Sequence, residues 1–223
     1  MNMHIVVYVF AGIFLFGLAA CGVTMLCMWI VARNQLEEYK LHWKNIQTVS
    51  VHTYKPRNSV VPYRGWLVLT KGYNVAASHN IPLILSVGNT VPGELRTEAE
   101  MYRDALVNRF GPNHGVQVIV ARNRSVRETF GEVKETQKEI WRLGSSKHAV
   151  IGLAPHIARI CLLWRRATKA IPEPKRADIL FVPVSKGPLR YWFWEAAMLW
   201  MHFIAPPESR LQNWLLDLVG RKG

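Results

Sequence analysis

The pattern of hydrophobic and polar positions divides the chain into two regimes. From Ile5 to Ala32, 28 residues pass without one Asp, Glu, Lys or Arg, and all 28 basic and 15 acidic residues of the chain follow that run. At about 1.5 Å of helix rise per residue the run reaches roughly 42 Å, more than the roughly 30 Å of a hydrocarbon core. The pattern therefore predicts an N-terminal transmembrane helix that spans with some tilt. After Ala32 the long run gives way to short apolar segments that alternate with stretches of helical period.

These segments predict an ordered series of elements. Val49-Ser50-Val51-His52-Thr53-Tyr54 alternates apolar and polar residues and is rich in β-branched side chains, which predicts a strand. A weaker helix is expected over 64–78, a strand over Leu83-Ile84-Leu85-Ser86-Val87, and a helix over 94–110 with Ala99, Tyr102, Leu106 and Phe110 on one stripe. A strand over 116–120, a helix over 128–143 and a strand over 148–153 follow. Pro155 marks the start of a helix reaching about Thr168, and Ile179-Leu180-Phe181-Val182-Pro183-Val184 reads as the fifth strand. Short apolar strands separated by helices imply a sheet covered on both faces. The fold class is α/β, a doubly wound and mostly parallel sheet behind the transmembrane helix. The boundaries follow: an anchor over 1–32, a juxtamembrane linker over 33–47, and the α/β domain with C-terminal aromatic helices over 48–223.

Composition adds the compartment question. Leu18-Ala19-Ala20-Cys21 resembles a lipobox, which would make Cys21 the lipidated end of a cleaved lipoprotein. No Lys or Arg precedes the run, however, and it continues through Trp29-Ile30-Val31, so an uncleaved span is favoured. Cys21 and Cys27 lie inside the span and Cys161 stands alone, which excludes a disulfide or a thiolate metal cluster within the domain. Arg33, Lys40 and Lys44 follow the span, and the positive-inside count alone would place the domain in the cytoplasm.

The expected fold locates the chemistry at the carboxyl ends of the strands, beside helix N-termini. The loops there carry Lys55, Arg57, Asn89, Thr90, Arg122, Arg124, Ser125, His156 and Lys186, with Arg159 one turn into its helix. Such a rim suits a phosphate or pyrophosphate. A chain with a net charge of +13 also has arginines to spare. His156 and Arg159, three residues apart, face one side of a helix start, where a guanidinium can hold a phosphate and an imidazole can transfer a proton. Glu98, at a helix N-terminus, is a candidate general base that equally suits the helix dipole. Ser125 and Thr129 either contact a ligand or cap the third helix. No nucleophile triad, zinc-hydrolase or P-loop pattern occurs.

At these same loops the chain resembles a known family over about Thr48 to Pro206. The marks are Leu83-Ile84-Leu85-Ser86-Val87-Gly88 ending a strand, Thr97-Glu98-Ala99 opening a helix, and Gly115-Val116 leading to a strand. Ser125-Val126-Arg127-Glu128-Thr129, His156-Ile157-Ala158-Arg159 and Glu195 on a later aromatic helix complete them. Together they resemble the YdcF-like domains of unknown function, whose membrane-anchored SanA/ElyC-type members are bacterial envelope proteins. The chain departs from that pattern at Tyr54-Lys55-Pro56-Arg57 in place of glycines, at Val87 between Ser86 and Gly88, and at Gly131-Glu132 after Thr129. The resemblance implies a Rossmann-like domain on the periplasmic face of a bacterial inner membrane and a part in cell-wall (peptidoglycan) biogenesis or the permeability barrier. The expected ligand-binding set is Ser86, Gly88, Asn89, Glu98, Ser125, Thr129, His156 and Arg159, with Glu98 and His156 as catalytic candidates, no metal and no assignable cofactor.

Two functional classes emerge. One is an envelope protein that binds a phosphate-bearing ligand, either a nucleotide or a lipid-linked cell-wall precursor. The other is a non-catalytic module docking envelope proteins or anionic lipids through basic and aromatic surfaces. Nucleic acid is disfavoured, because no recognition motif accompanies the charge. Leu189 to Ile204 is too short to span and carries Trp192, Phe193, Trp194, Leu199, Trp200 and Phe203, for which packing on the sheet is expected. Leu211, Trp214, Leu215 and Leu218 form an apolar stripe open to either the core or a lipid interface.

Overall fold

The computed structural model describes residues 3–52, 60–85, 96–121, 126, 129–169, 176–185 and 187–218. The first element, α1 (Met3–His42), runs 40 residues. It does not end with the apolar run but continues through Arg33, across residues expected as a linker. A 3-10 turn (Trp43–Asn45) then leads into β1 (Thr48–Val51). The helix is long and apolar enough to cross a membrane. Tyr8, Leu15, Phe16, Leu18, Val23 and Leu26 are exposed along it.

The chain continues through α2 (Tyr63–His79), β2 (Leu83–Leu85), α3 (Glu98–Phe110), β3 (Val118–Val120), α4 (Thr129–Arg142) and β4 (Lys147–Gly152). Next come α5 (Ala154–Thr168), β5 (Asp178–Pro183), α6 (Leu189–Ile204) and α7 (Arg210–Leu218). The strands form one sheet, all parallel, in the order β3-β2-β1-β4-β5. Each expected helix and strand is present. The expected ends of the first two strands, residues 53–54 and 86–87, lie outside the described residues.

Side-chain alternation explains the two layers, since successive strand residues point to opposite faces. Val49, Val51, Leu83, Leu85, Ala149 and Ile151 meet α2 and α3 on one face. Ile84, Val150 and Phe181 meet Val133, Ile140, Ile157, Ile160 and Trp164 of α4 and α5 on the other. The helices begin and end for local reasons. Thr97 and Glu100 close a capping box at the start of α3. Asn80, with φ of 52°, takes the left-handed conformation that ends α2. Gly72 lets α2 approach the sheet, because a Cβ there would collide with Val51.

The lower part of α1 belongs to the domain. Met28 and Ala32 pack with Ala154 and Ala158 of α5 and with Trp192 and Ala196 of α6. Small side chains on all three helices allow this close approach. Trp200 donates a hydrogen bond from Nε1 to Thr24 Oγ1 at 3.1 Å. Helix α6 thus packs with one side only. Trp192, Glu195, Ala196 and His202 are buried, whereas Phe193, Trp194, Trp200, Phe203 and Ile204 are exposed, so the expected packing of this helix holds for half of its surface.

Two expectations test this packing. Gly72→Ala should destabilise the fold by about 1–3 kcal/mol through overpacking. Gly12→Ala, where a Cβ meets nothing within 4 Å, should leave the melting temperature unchanged. The second concerns His148, buried on the sheet with Nδ1 2.8 Å from Thr48 Oγ1 and Nε2 2.8 Å from Ser50 Oγ. Burial, and secondarily His52, pushes its pKa from 6.5 down to about 3. The unfolded chain therefore binds the extra proton in that window, and stability is complete above about pH 6.5 and lost as the pH falls toward 3. His148→Gln should make the acid limb of a stability–pH curve shallower. An unchanged slope would assign acid sensitivity elsewhere.

Candidate functional site

The strand order reverses between β1 and β4. From β1 the chain builds outward to β2 and β3 on one side, then returns to place β4 and β5 on the other. At such a reversal the flanking connections diverge and leave a crevice outside the carboxyl ends of the two central strands. His52 is the first residue beyond β1, and His156 stands in the first turn of α5, which opens just after β4. The two imidazoles meet edge to face, with ring centroids 6.1 Å apart.

Each imidazole rests on a carboxylate. His156 Nδ1 lies 3.1 Å from both oxygens of Glu195, and His52 Nδ1 lies 3.3 Å from Glu132 Oε2. A carboxylate only accepts, so it selects the Nδ1–H form of its imidazole and leaves the lone pair on Nε2. The Arg159 Nη2 group, 3.0 Å from His156 Nδ1, can only donate and so cannot serve that same proton-bearing atom; the anionic Glu195 is the stronger partner. Nε2 of His52 is buried and has no hydrogen-bond partner among the described residues. Each imidazole at the reversal point is thus oriented by a carboxylate, an arrangement suited to accepting a proton from a hydroxyl or a water.

Arg159 holds this cluster together. Its Nε donates to Glu195 Oε2 at 2.7 Å and its Nη1 to Thr129 Oγ1 at 3.0 Å, with His202 Nε2 at 3.5 Å from the same nitrogen. Arg159, Glu195, His156 and His202 are all buried. Burial pushes the Glu195 carboxyl up, but Arg159 and His156 outweigh it and hold the group well below the usual carboxylate range. Burial lowers His156, and the opposing pull of Glu195 does not restore it, so the imidazole is neutral near pH 7. Burial, then Arg159, lowers His202 to about 4.

The structure therefore brings together three of the residues expected from sequence: His156, Arg159 and Thr129. Arg159 faces inward to protein partners rather than outward as a phosphate clamp. Thr129, the first residue of α4, receives a hydrogen bond from Arg159. Glu98 is buried in the first turn of α3, beyond the carboxyl end of β2. Ser86, Gly88, Asn89 and Ser125 lie outside the described residues. His52, Glu132 and His202 are not among the site residues expected from sequence, where Glu195 figures only as a mark of the family resemblance. Two signals were available: His52 directly follows an apolar strand, and His202 stands seven residues after Glu195 and so shares its helix face. Among the described residues no group of three or more His, Cys, Asp or Glu side chains is placed to hold a metal ion.

A cavity of about 360 Å³ opens at the same edge of the sheet, between α1 and the domain. Trp29, Arg33, Ala154, Ser185 and Trp192 are among its walls. It lies between the start of α5 and α1.

Removing one member of the buried ion pair leaves the other charge unpaired. Arg159→Ala and Glu195→Gln should each destabilise the domain by about 3–5 kcal/mol in urea unfolding. The double variant Arg159→Met/Glu195→Leu should cost much less than the sum of the single changes, since the two residues are in direct contact. Additive losses would show that the pair does not act as a unit.

Compared with known proteins, the chain matches no protein-family model, no curated protein and no solved structure.

Proposed function

We propose that the protein is a single-pass bacterial inner-membrane protein whose periplasmic, Rossmann-like domain binds a phosphate-bearing ligand, a nucleotide or a lipid-linked cell-wall precursor, in envelope biogenesis. The observation that carries this reading is the pair of carboxylate-oriented histidines, His52 and His156, at the point where the strand order reverses. That is where open parallel sheets collect ligands, and the N-terminus of α5 beside them favours negative charge. Within the reading, His156 accepts a proton from a ligand hydroxyl or a water, Glu195 orients it, and Arg159 fixes Glu195. The cavity between α1 and Ala154 supports a ligand with an apolar tail, since one wall of it is the anchor helix itself. The resemblance to the YdcF-like envelope proteins supports the compartment and the class of role.

Native mass spectrometry of the full chain, released from nanodiscs made with bacterial lipid, should find a bound phosphate-bearing species. His156→Ala should lose it while costing no more than about 3 kcal/mol of stability, the scale of a buried hydrogen-bond loss. Identical bound species in parent and variant would overturn the site. For topology, a C-terminal alkaline phosphatase fusion should be active and a green fluorescent fusion dark. The reverse pattern would refute the periplasmic placement.

A further inference from the structure

Helix α6 runs down α1 in the opposite direction. Trp192, in its first turn, packs near Ala32, and Trp200, two turns later, bonds to Thr24. Later positions of α6 therefore meet earlier, deeper positions of the anchor. The segment from Ile5 to Thr24 already reaches roughly 30 Å as a helix, the full hydrocarbon thickness. If α1 spans the bilayer, Trp200, Phe203 and Ile204 stand at the level where the span meets the head groups. All three are exposed, at 45%, 65% and 70%. Exposed Leu211 and Trp214 of α7 follow shortly in the chain. Trp at the polar boundary and aliphatic or aromatic side chains just below it are the composition of an interfacial helix.

A second feature adjoins this face. A cleft of about 370 Å³ between α5 and α6 is lined by Leu162, Arg165, Arg166, Lys169, His202 and Phe203 among its walls. Three cations thus border an opening whose other wall is the exposed aromatic end of α6. His202, in its wall, carries a buried polar atom without a described partner. Arg159 can only donate to His202 Nε2, so the His202 proton sits on Nδ1, and that buried atom has no partner among the described residues.

We propose that the outer face of α6 and the α5–α6 cleft bind the anionic phospholipid leaflet from which α1 emerges, the cleft taking a phosphate head group between Arg165, Arg166, Lys169 and His202. The inference rests on α1 spanning the membrane, and is independent of the ligand at His156. It makes the domain lie against the bilayer surface instead of swinging on its anchor, because contact is made at α1 and again at α6.

The test uses the full chain in nanodiscs of mixed phosphatidylglycerol and phosphatidylcholine, with a benzophenone amino acid in place of Phe203, Leu15 or Trp141. Illumination should give lipid adducts at positions 15 and 203 and none at 141, an exposed aromatic site on α4. Adducts at 203 should favour phosphatidylglycerol, and Arg166→Gln should reduce that preference about fivefold, the effect of one cation at an anionic surface. No lipid adduct at position 15 would overturn the span, and this proposal with it. Lipid adducts at 15 with none at 203, or adducts at 203 only to a second copy of the chain, would overturn the proposal alone. An unchanged lipid preference in Arg166→Gln would remove the head-group site.

Discussion

The buried ion pair between Arg159 and Glu195 is the interaction on which the rest of the arrangement depends. Neither charge can stay in the interior without the other, so α5 and α6 are held in one relative position. From Arg159 the same constraint reaches Thr129 at the start of α4, and from Glu195 it reaches His156. Three helices and the orientation of one imidazole are thus tied to a single contact. Because α6 also packs on α1, the site and α1 share this support. A change that loosened α6 would be felt at His156, on the far side of the helix from its exposed aromatics.

Helix α1 has two kinds of surroundings along its length. Its first part exposes Tyr8, Leu15, Phe16, Leu18, Val23 and Leu26. Farther along, Met28 and Ala32 meet small residues of α5 and α6. The apolar run therefore ends as part of a protein core. Packing of α1 against β5, an edge strand, covers unpaired backbone that would otherwise invite strand addition.

The meeting of the two histidines follows from strand order more than from any one motif. His52 and His156 are 104 positions apart in the chain, yet β1 and β4 are neighbours because the sheet grows outward in both directions from β1. Their carboxylates come from two further elements, Glu132 from α4 and Glu195 from α6. Four segments that share no local pattern converge through backbone pairing and helix packing.

What the sequence determined by itself was everything governed by local periodicity. The uncharged run specified a long apolar helix, the alternating apolar segments specified five strands, and the stripe of Ala99, Tyr102 and Leu106 specified the buried side of α3. The pairing of His156 with Arg159 was equally legible, since residues three apart on a helix meet whatever surrounds them. What only the tertiary structure decided was where those side chains point and what they meet. Arg159 turned inward because a carboxylate 36 residues later was brought beside it. His52 became part of the site because β4 lies next to β1. The aromatic helix α6 kept half its surface exposed because α5 and α1 cover only one side of it. Local pattern specifies elements through neighbours a few residues away, whereas a charge or an imidazole is assigned its role by partners that only folding brings within hydrogen-bond reach.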